Sequence, residues 1–264
     1  MKYRGWSLLI VGGVVVAALG LYFRPTTISL PNDVYRDHYH YFESHHGNVY
    51  VIRVVDGYQE LWKYDRQGRE TRLYVAPDLD FRVSADEKFV AVVHDSPDDA
   101  DETMNIALIK NTGDPIKVFR AVELGLEKYG PYVTPLDWSA DDKLWLWSGF
   151  TDNVENLSKL DPITFEIRHF DLAHLPIHMT EFAFNPAREI LVFSDYPPVH
   201  TADQAEELLA TARTVVLYRY DLRSQKQEIV AVSHSHPFEP RWLDENTIEY
   251  YDTDATKRVN QKLL

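Results

Sequence analysis

The segment LDWSADDKLWLW, residues 136–147, sets an apolar and aromatic pair before a Ser-Ala-Asp-Asp-Lys turn and follows the turn with an unbroken apolar run. The same arrangement returns as FRVSADEKFVAVV from Phe81, FAFNPAREILVF from Phe182 and PRWLDENTIEYY from Pro240. Val83, Trp138, Phe184 and Trp242 fall in one aligned column, separated by 55, 46 and 58 residues. Self-similarity on this scale marks a modular architecture, and apolar runs flanking polar turns make each module a β unit.

A second recurrent piece accompanies the first. LWKYDRQGRETRLY around Asp65, IALIKNTGDPIKVF around Asn111, LSKLDPITFEIRHF around Asp161 and LYRYDLRSQKQEIV around Asp221 each place apolar alternation on both sides of a turn rich in Asp, Asn, Gly or Pro. That is a hairpin signal. Joined, the pieces give a four-stranded module whose strands a and b meet at the SADEK-type turn and whose strands c and d meet at the YDRQG-type turn. The first module uses HYHYFESHHGNVYVIRV for its a and b strands, with Ser44 to Asn48 at the turn. Later modules start near Leu79, Thr134 and Thr180, and a fifth, beginning near Phe238, supplies two strands. The expectation is an all-β propeller of about five four-stranded blades, four full modules and a half. The missing strands would come from TTISL at 26–30 or from 253–264 folding back.

The turn residues carry a resemblance. Trp138, Ser139, Asp141 and Lys143, then Ser84, Asp86 and Lys88, and Tyr64, Asp65 and Gly68 resemble the TolB-like and WD40-like β-propeller repeats over roughly residues 38–252. The resemblance implies a fold and no activity. The chain departs from the pattern where the turn glycine is absent after Ser84 and Ser139, and where Asn185 and Pro186 replace the serine turn.

Residues 1–24 read differently: Lys2 and Arg4 precede an apolar run from Gly5 to Phe23, closed by Arg24. As a helix this run is ~28 Å long, close to the hydrocarbon thickness of a bilayer. Because the run continues through Leu21, Tyr22 and Phe23, past the small residues Ala18-Leu19-Gly20, an uncleaved signal anchor is expected, with a signal peptide cleaved at those small residues as the alternative. Basic residues ahead of it predict a single-pass protein of the cell membrane whose C-terminal domain is extracytoplasmic. The domain expectation is an anchor at 1–24, a linker or closing strand at 25–37 and the propeller at 38–264. The chain has 264 residues, no cysteine and a net charge of −14, with 41 acidic against 27 basic residues. Cysteine chemistry is excluded, and nucleic acid is an unfavourable partner.

Strand order then locates the chemistry. In consecutive antiparallel modules the a–b and c–d turns share one face, and the b–c and d–a connections share the other. Every long insertion, at 95–103, 121–133, 171–179, 195–213 and 233–238, belongs to the second set. Long loops on a rigid scaffold carry binding, so this face is the expected binding face, with Asp95, Tyr129, Asp152, Tyr196, His200 and Phe238 on it. TADQAEELLATAR from Thr201 reads as a short helix opened by a Thr201–Gln204 capping box. Trp145 and Trp147 share one strand face and fit blade packing, with an exposed platform for a glycan or peptide as the rival.

No GxSxG, HExxH or phosphate-cradling glycine loop occurs. The expected role is therefore a non-catalytic binding or scaffold module, without cofactor, for a protein, peptide or envelope ligand. The alternative is a metal-dependent hydrolase or lyase of an envelope polymer. It would use zinc on His174, His178, His234 and His236, with Asp171 or Asp195, or calcium on the acidic loop bearing Asp98, Asp99 and Asp101.

Overall fold

The computed structural model describes residues 41–44, 46–95, 104–234, 236–252 and 257–263. The expected anchor at 1–24, the segment 25–37 and Asp98, Asp99 and Asp101 lie outside these residues. Among the described residues no helix is long and apolar enough to cross a membrane.

Five antiparallel sheets follow one another along the chain. The first comprises β1 (Tyr41–Glu43), β2 (Val49–Val55), β3 (Tyr58–Tyr64) and β4 (Glu70–Ala76). The second comprises β5 (Leu79–Val83), β6 (Phe89–Asp95), β7 (Met104–Lys110) and β8 (Pro115–Arg120). The third comprises β9 (Tyr132–Trp138), β10 (Leu144–Phe150), β11 (Asn153–Leu160) and β12 (Ile167–Asp171). The fourth comprises β13 (Phe182–Asn185), β14 (Ile190–Ser194), β15 (Thr214–Asp221) and β16 (Lys226–His234). The fifth has three strands, β17 (Arg241–Trp242), β18 (Thr247–Tyr251) and β19 (Arg258–Lys262). Spatial order equals sequence order in every sheet, as in a propeller.

The fifth blade corrects the expected half module, because residues 258–262 do fold back as its third strand. Arg258-Val259-Asn260-Gln261-Lys262 holds one apolar residue, too few for alternation to show. Its end is fixed by the Leu263 amide donating to the Asn246 carbonyl at 2.8 Å, and by the Arg188 guanidinium reaching the Leu263 carbonyl at 3.2 Å.

The apolar runs are unbroken because the b strands are covered on both sides. Val90 to His94 are all buried, as are Leu144 to Gly149, so alternation would leave a polar side chain in a core. Four clusters cement successive sheets. Leu61 and Tyr50 meet Phe81 and Val92, Ile106 and Leu108 meet Leu144 and Leu146, Trp145 and Leu157 meet Leu191 and Phe193, and Val192 and Leu217 meet Phe238 and Ile248. Trp145 and Trp147, 0% and 5% exposed, pack between the third and fourth blades and form no platform.

The missing turn glycines have a structural answer. Glu87 and Asp142 take the left-handed backbone position themselves, with φ of 57° and 56°. Glu87 is buried there and turned into a link between blades, accepting from Asn48 Nδ2 at 2.5 Å and from the Tyr50 hydroxyl at 3.0 Å. Burial pushes its carboxyl up, but the hydrogen bonds from Ser44, Asn48 and Tyr50 outweigh burial and hold it below the usual glutamate range.

Candidate functional site

The two faces of the blades differ in charge as well as in length. Among the described residues, connections of the b–c and d–a kind hold 12 acidic and 3 basic residues, whereas the a–b and c–d turns hold 11 and 6. On the short-turn face four of the six cations are matched by acids: Arg69 with Asp65, Lys88 with Asp86, Lys143 with Asp161 and Arg223 with Glu189. The long-loop face keeps an unbalanced negative field, which draws cationic partners and repels anionic ones. It also presents apolar side chains to solvent, among them Val122, Tyr132, Phe150, Met179 and Leu209.

The densest polar constellation on this face lies between the third and fourth blades. Asp152 sits in the two-residue β10–β11 hairpin, His178 in the β12–β13 connection, and Asp195, His200 and Arg213 in the β14–β15 excursion. Asn153 and His178 bridge, and the Met179 amide donates to the Asp152 carbonyl at 3.0 Å, so the histidine loop is stitched to the hairpin. His200 Nε2 stands 3.4 Å from the Asp152 carboxylate. Asp195 accepts the Val216 amide at 2.8 Å, and Arg213 Nη2 donates to the Asp195 carbonyl at 3.4 Å. Burial depresses the His178 pKa against the raising effects of a hydrogen bond to the Asp152 backbone and of the Asp152 charge. Among the described residues His178 Nδ1 is buried without a partner, a ring nitrogen available to a ligand or to water.

α1 (Ala202–Ala210) forms within the β14–β15 excursion, as the capping box predicts. Thr201 caps it, accepting the Gln204 amide at 3.2 Å, while Gln204 Oε1 returns to the Thr201 amide at 3.2 Å. No α1 residue is buried. A cavity of about 500 Å³ separates the helix from Pro197, Pro198 and Val199.

The other expected positions are distributed as follows. Asp95 ends β6 beside a cavity shared with Asp78, Asp80 and His94. Tyr129 ends a short 3-10 turn, Glu127–Tyr129. Tyr196 is half-buried, its hydroxyl pKa raised by burial and by the charge of Glu181. Phe238 is corrected: at 0% exposure it belongs to the core between the fourth and fifth blades, its ring 5.9 Å from that of Tyr250. A loop aromatic followed by Pro240 looks exposed in sequence, but the loop turns it inward.

The four histidines expected to share a metal are not assembled. His174 is exposed with its ring 6.4 Å from that of Tyr220, His234 ends the outer strand β16, and the His236 carbonyl accepts from Ser233 Oγ at 2.8 Å. Among the described residues no group of three or more His, Asp or Glu side chains is arranged to hold a metal ion.

Sequence reasoning missed Glu181, which is 2% exposed at the entrance to β13. Its carboxylate accepts from Ser194 Oγ at 2.6 Å and from the successive amides of Phe238 at 3.0 Å and Glu239 at 3.3 Å. Two consecutive amides converging on one carboxylate lock the fifth blade to the fourth. Burial nevertheless raises the Glu181 pKa. The left-handed Glu239, at φ 43°, aims the second amide.

No protein-family model matches this chain, and no curated protein does. Solved structures do. The β-propeller domain of the Trilobed protease from Pyrococcus furiosus superposes with a TM-score of 0.55 at 10% identity, over 83% of this chain and 62% of that one. An oligogalacturonate lyase in complex with manganese gives 0.53 at 16% identity, over 88% and 66%. TolB from Acinetobacter baumannii gives 0.47 at 14% identity, over 76% and 44%. This chain thus spans less than two thirds of each of those chains. At such identities the likeness is one of fold alone: the chain has the β-propeller fold.

Proposed function

We propose that this protein is a membrane-anchored, extracytoplasmic propeller that binds a protein or peptide through its long-loop face and performs no chemistry of its own. The observation that carries the reading is the segregation of the connections. The larger part of the excess negative charge, most of the exposed apolar side chains of the connections and the α1 excursion lie on one face, while the opposite face is short-turned and pairs most of its cations with acids. A surface that is apolar in places and polar at its edges is typical of recognition. The anchor rests on the apolar run Gly5–Phe23 and would hold the face at a membrane surface.

The test is a pull-down from solubilised membranes with the full chain and with a variant in which 197–212 is replaced by a short Gly-Ser link. A partner recovered by the full chain and lost by the variant supports the reading; equal recovery, or no specific partner with either, counts against it.

A further inference from the structure

A cleft of about 240 Å³ opens on the long-loop side of the third blade, lined by Lys128, Tyr129, Phe150, Glu155, Asp171 and Ala173. Its aromatic walls are set by backbone. The 3-10 turn bearing Tyr129 is carried against β10 by Gly130, at φ 127°, where a Cβ would lie 2.2 Å from the Gly149 carbonyl oxygen, so only glycine permits the approach. The Tyr129 ring rests 5.6 Å from that of His169, and His169 Nδ1 is hydrogen-bonded to Ser158 Oγ at 2.9 Å, which fixes the wall from behind. Phe150 ends β10 and is 55% exposed, so its ring is open to a partner.

The lining also carries charge. Glu155 and Asp171 come from adjacent strands, Asn156 pairing with Asp171 in register and the Leu172 amide donating to the Glu155 carbonyl at 2.8 Å. Neither carboxylate makes an ion pair among the described residues. The site already holds one cation: Lys128 Nζ lies 4.6 Å from the Tyr129 ring centroid. Lys128 is exposed, so its ammonium can leave the ring for water at little cost.

We propose that this cleft receives the cationic side chain, arginine or lysine, of a basic partner segment, with Tyr129 and Phe150 as walls and Glu155 and Asp171 as counter-charges. Two aromatic rings and two carboxylates lining one cleft offer a guanidinium or ammonium both cation–π contact and ion pairing. Lys128 is then an internal stand-in that the partner displaces. The inference rests on the long-loop face being the binding face and names the chemistry that the face selects.

The probe is a hexa-arginine peptide, with hexa-citrulline as its uncharged control, titrated against the full chain in non-ionic detergent at low and moderate salt. Glu155→Gln/Asp171→Asn and Phe150→Ala are each expected to raise the Kd of hexa-arginine about tenfold, while Lys128→Gln lowers it. Asp244→Asn/Glu245→Gln on the opposite face is expected to leave it unchanged. All the sites are at the surface, and unchanged melting temperatures show that folding is intact. Equal weakening by the two acid-removing pairs, or no weakening by the cleft pair, overturns the cleft. The membrane pull-down is independent of hexa-arginine, so a loop-dependent partner that persists with the cleft pair removes the cleft and leaves the face reading standing.

Discussion

The Trp138 indole Nε1 donates to the Arg82 carbonyl at 3.1 Å, joining the innermost strands of the second and third blades. Trp242 repeats the bond to the Ala183 carbonyl at 3.2 Å, joining the fourth and fifth. In each case the acceptor precedes the residue aligned with the tryptophan, Val83 or Phe184, so the repeat column is also an inter-blade staple. Trp138→Phe keeps most of the apolar burial and the stack on Phe89 but loses the bond, and should cost about 1 kcal/mol by urea denaturation. Trp138→Ala should cost about 3–5 kcal/mol.

Glu87 and Asp142 occupy equivalent left-handed turn positions with different duties. Asp142→Gly relieves a strained backbone and should change stability by less than about 1 kcal/mol in either direction. Glu87→Gly relieves the same strain but strips Asn48 and Tyr50 of their acceptor, and should be destabilising by about 2 kcal/mol. Chemical denaturation of the two variants side by side checks the contrast.

Asp161 accepts from Lys143 Nζ at 2.7 Å, and that bond, with the amides of Ile163 and Thr164, lowers its pKa to about 2 from 3.8. A carboxylate depressed in the fold adds stability above its unfolded pKa and loses it as pH falls toward the folded one. The loss therefore falls between about pH 4 and pH 2, and solvent screening keeps it below about 1 kcal/mol. Asp161→Asn should flatten the stability curve in that window and leave the curve above pH 5 parallel to the wild type.

His169 titrates with the opposite structural logic. Burial first, and then the Lys128 charge, lower its pKa below 6.5, so the folded protein prefers the neutral ring. Neutral, its Nδ1 accepts the Ser158 hydroxyl proton, while Ser158 Oγ accepts from Asn156 Nδ2 at 2.7 Å. Protonation would leave the Ser158 proton without that acceptor. Stability should thus decline as pH falls below about 6.5, and His169→Asn, which retains an acceptor near Ser158, should reduce that slope.

How much of this was legible depended on whether a residue's role showed in its neighbours. LWLW and FVAVV declared themselves because a strand buried on both faces must be apolar throughout, and the Thr201 cap declared α1 through local chemistry alone. β19 was legible only as one of two candidate closing segments, 253–264 folding back, because its stability comes from Leu263, Asn246 and Arg188 and not from its own pattern. The cleft was hidden for another reason: Tyr129, Phe150, Glu155 and Asp171 come from four elements, and only the folded blade brings them to one place. Phe238 was misassigned because sequence gives a loop aromatic no direction.

Photo-crosslinking in intact membranes distinguishes recognition by the long-loop face from recognition by the short-turn face. A crosslinker would be placed in turn at Tyr132 and Leu209 on that face, and at Ile163 and Leu243 on the other; all four are exposed, at 45%, 51%, 72% and 46%. Recognition by the long-loop face gives the same salt-sensitive adduct from Tyr132 and Leu209 and none from Ile163 or Leu243. Adducts confined to Ile163 and Leu243, or shared equally by both faces, would contradict it.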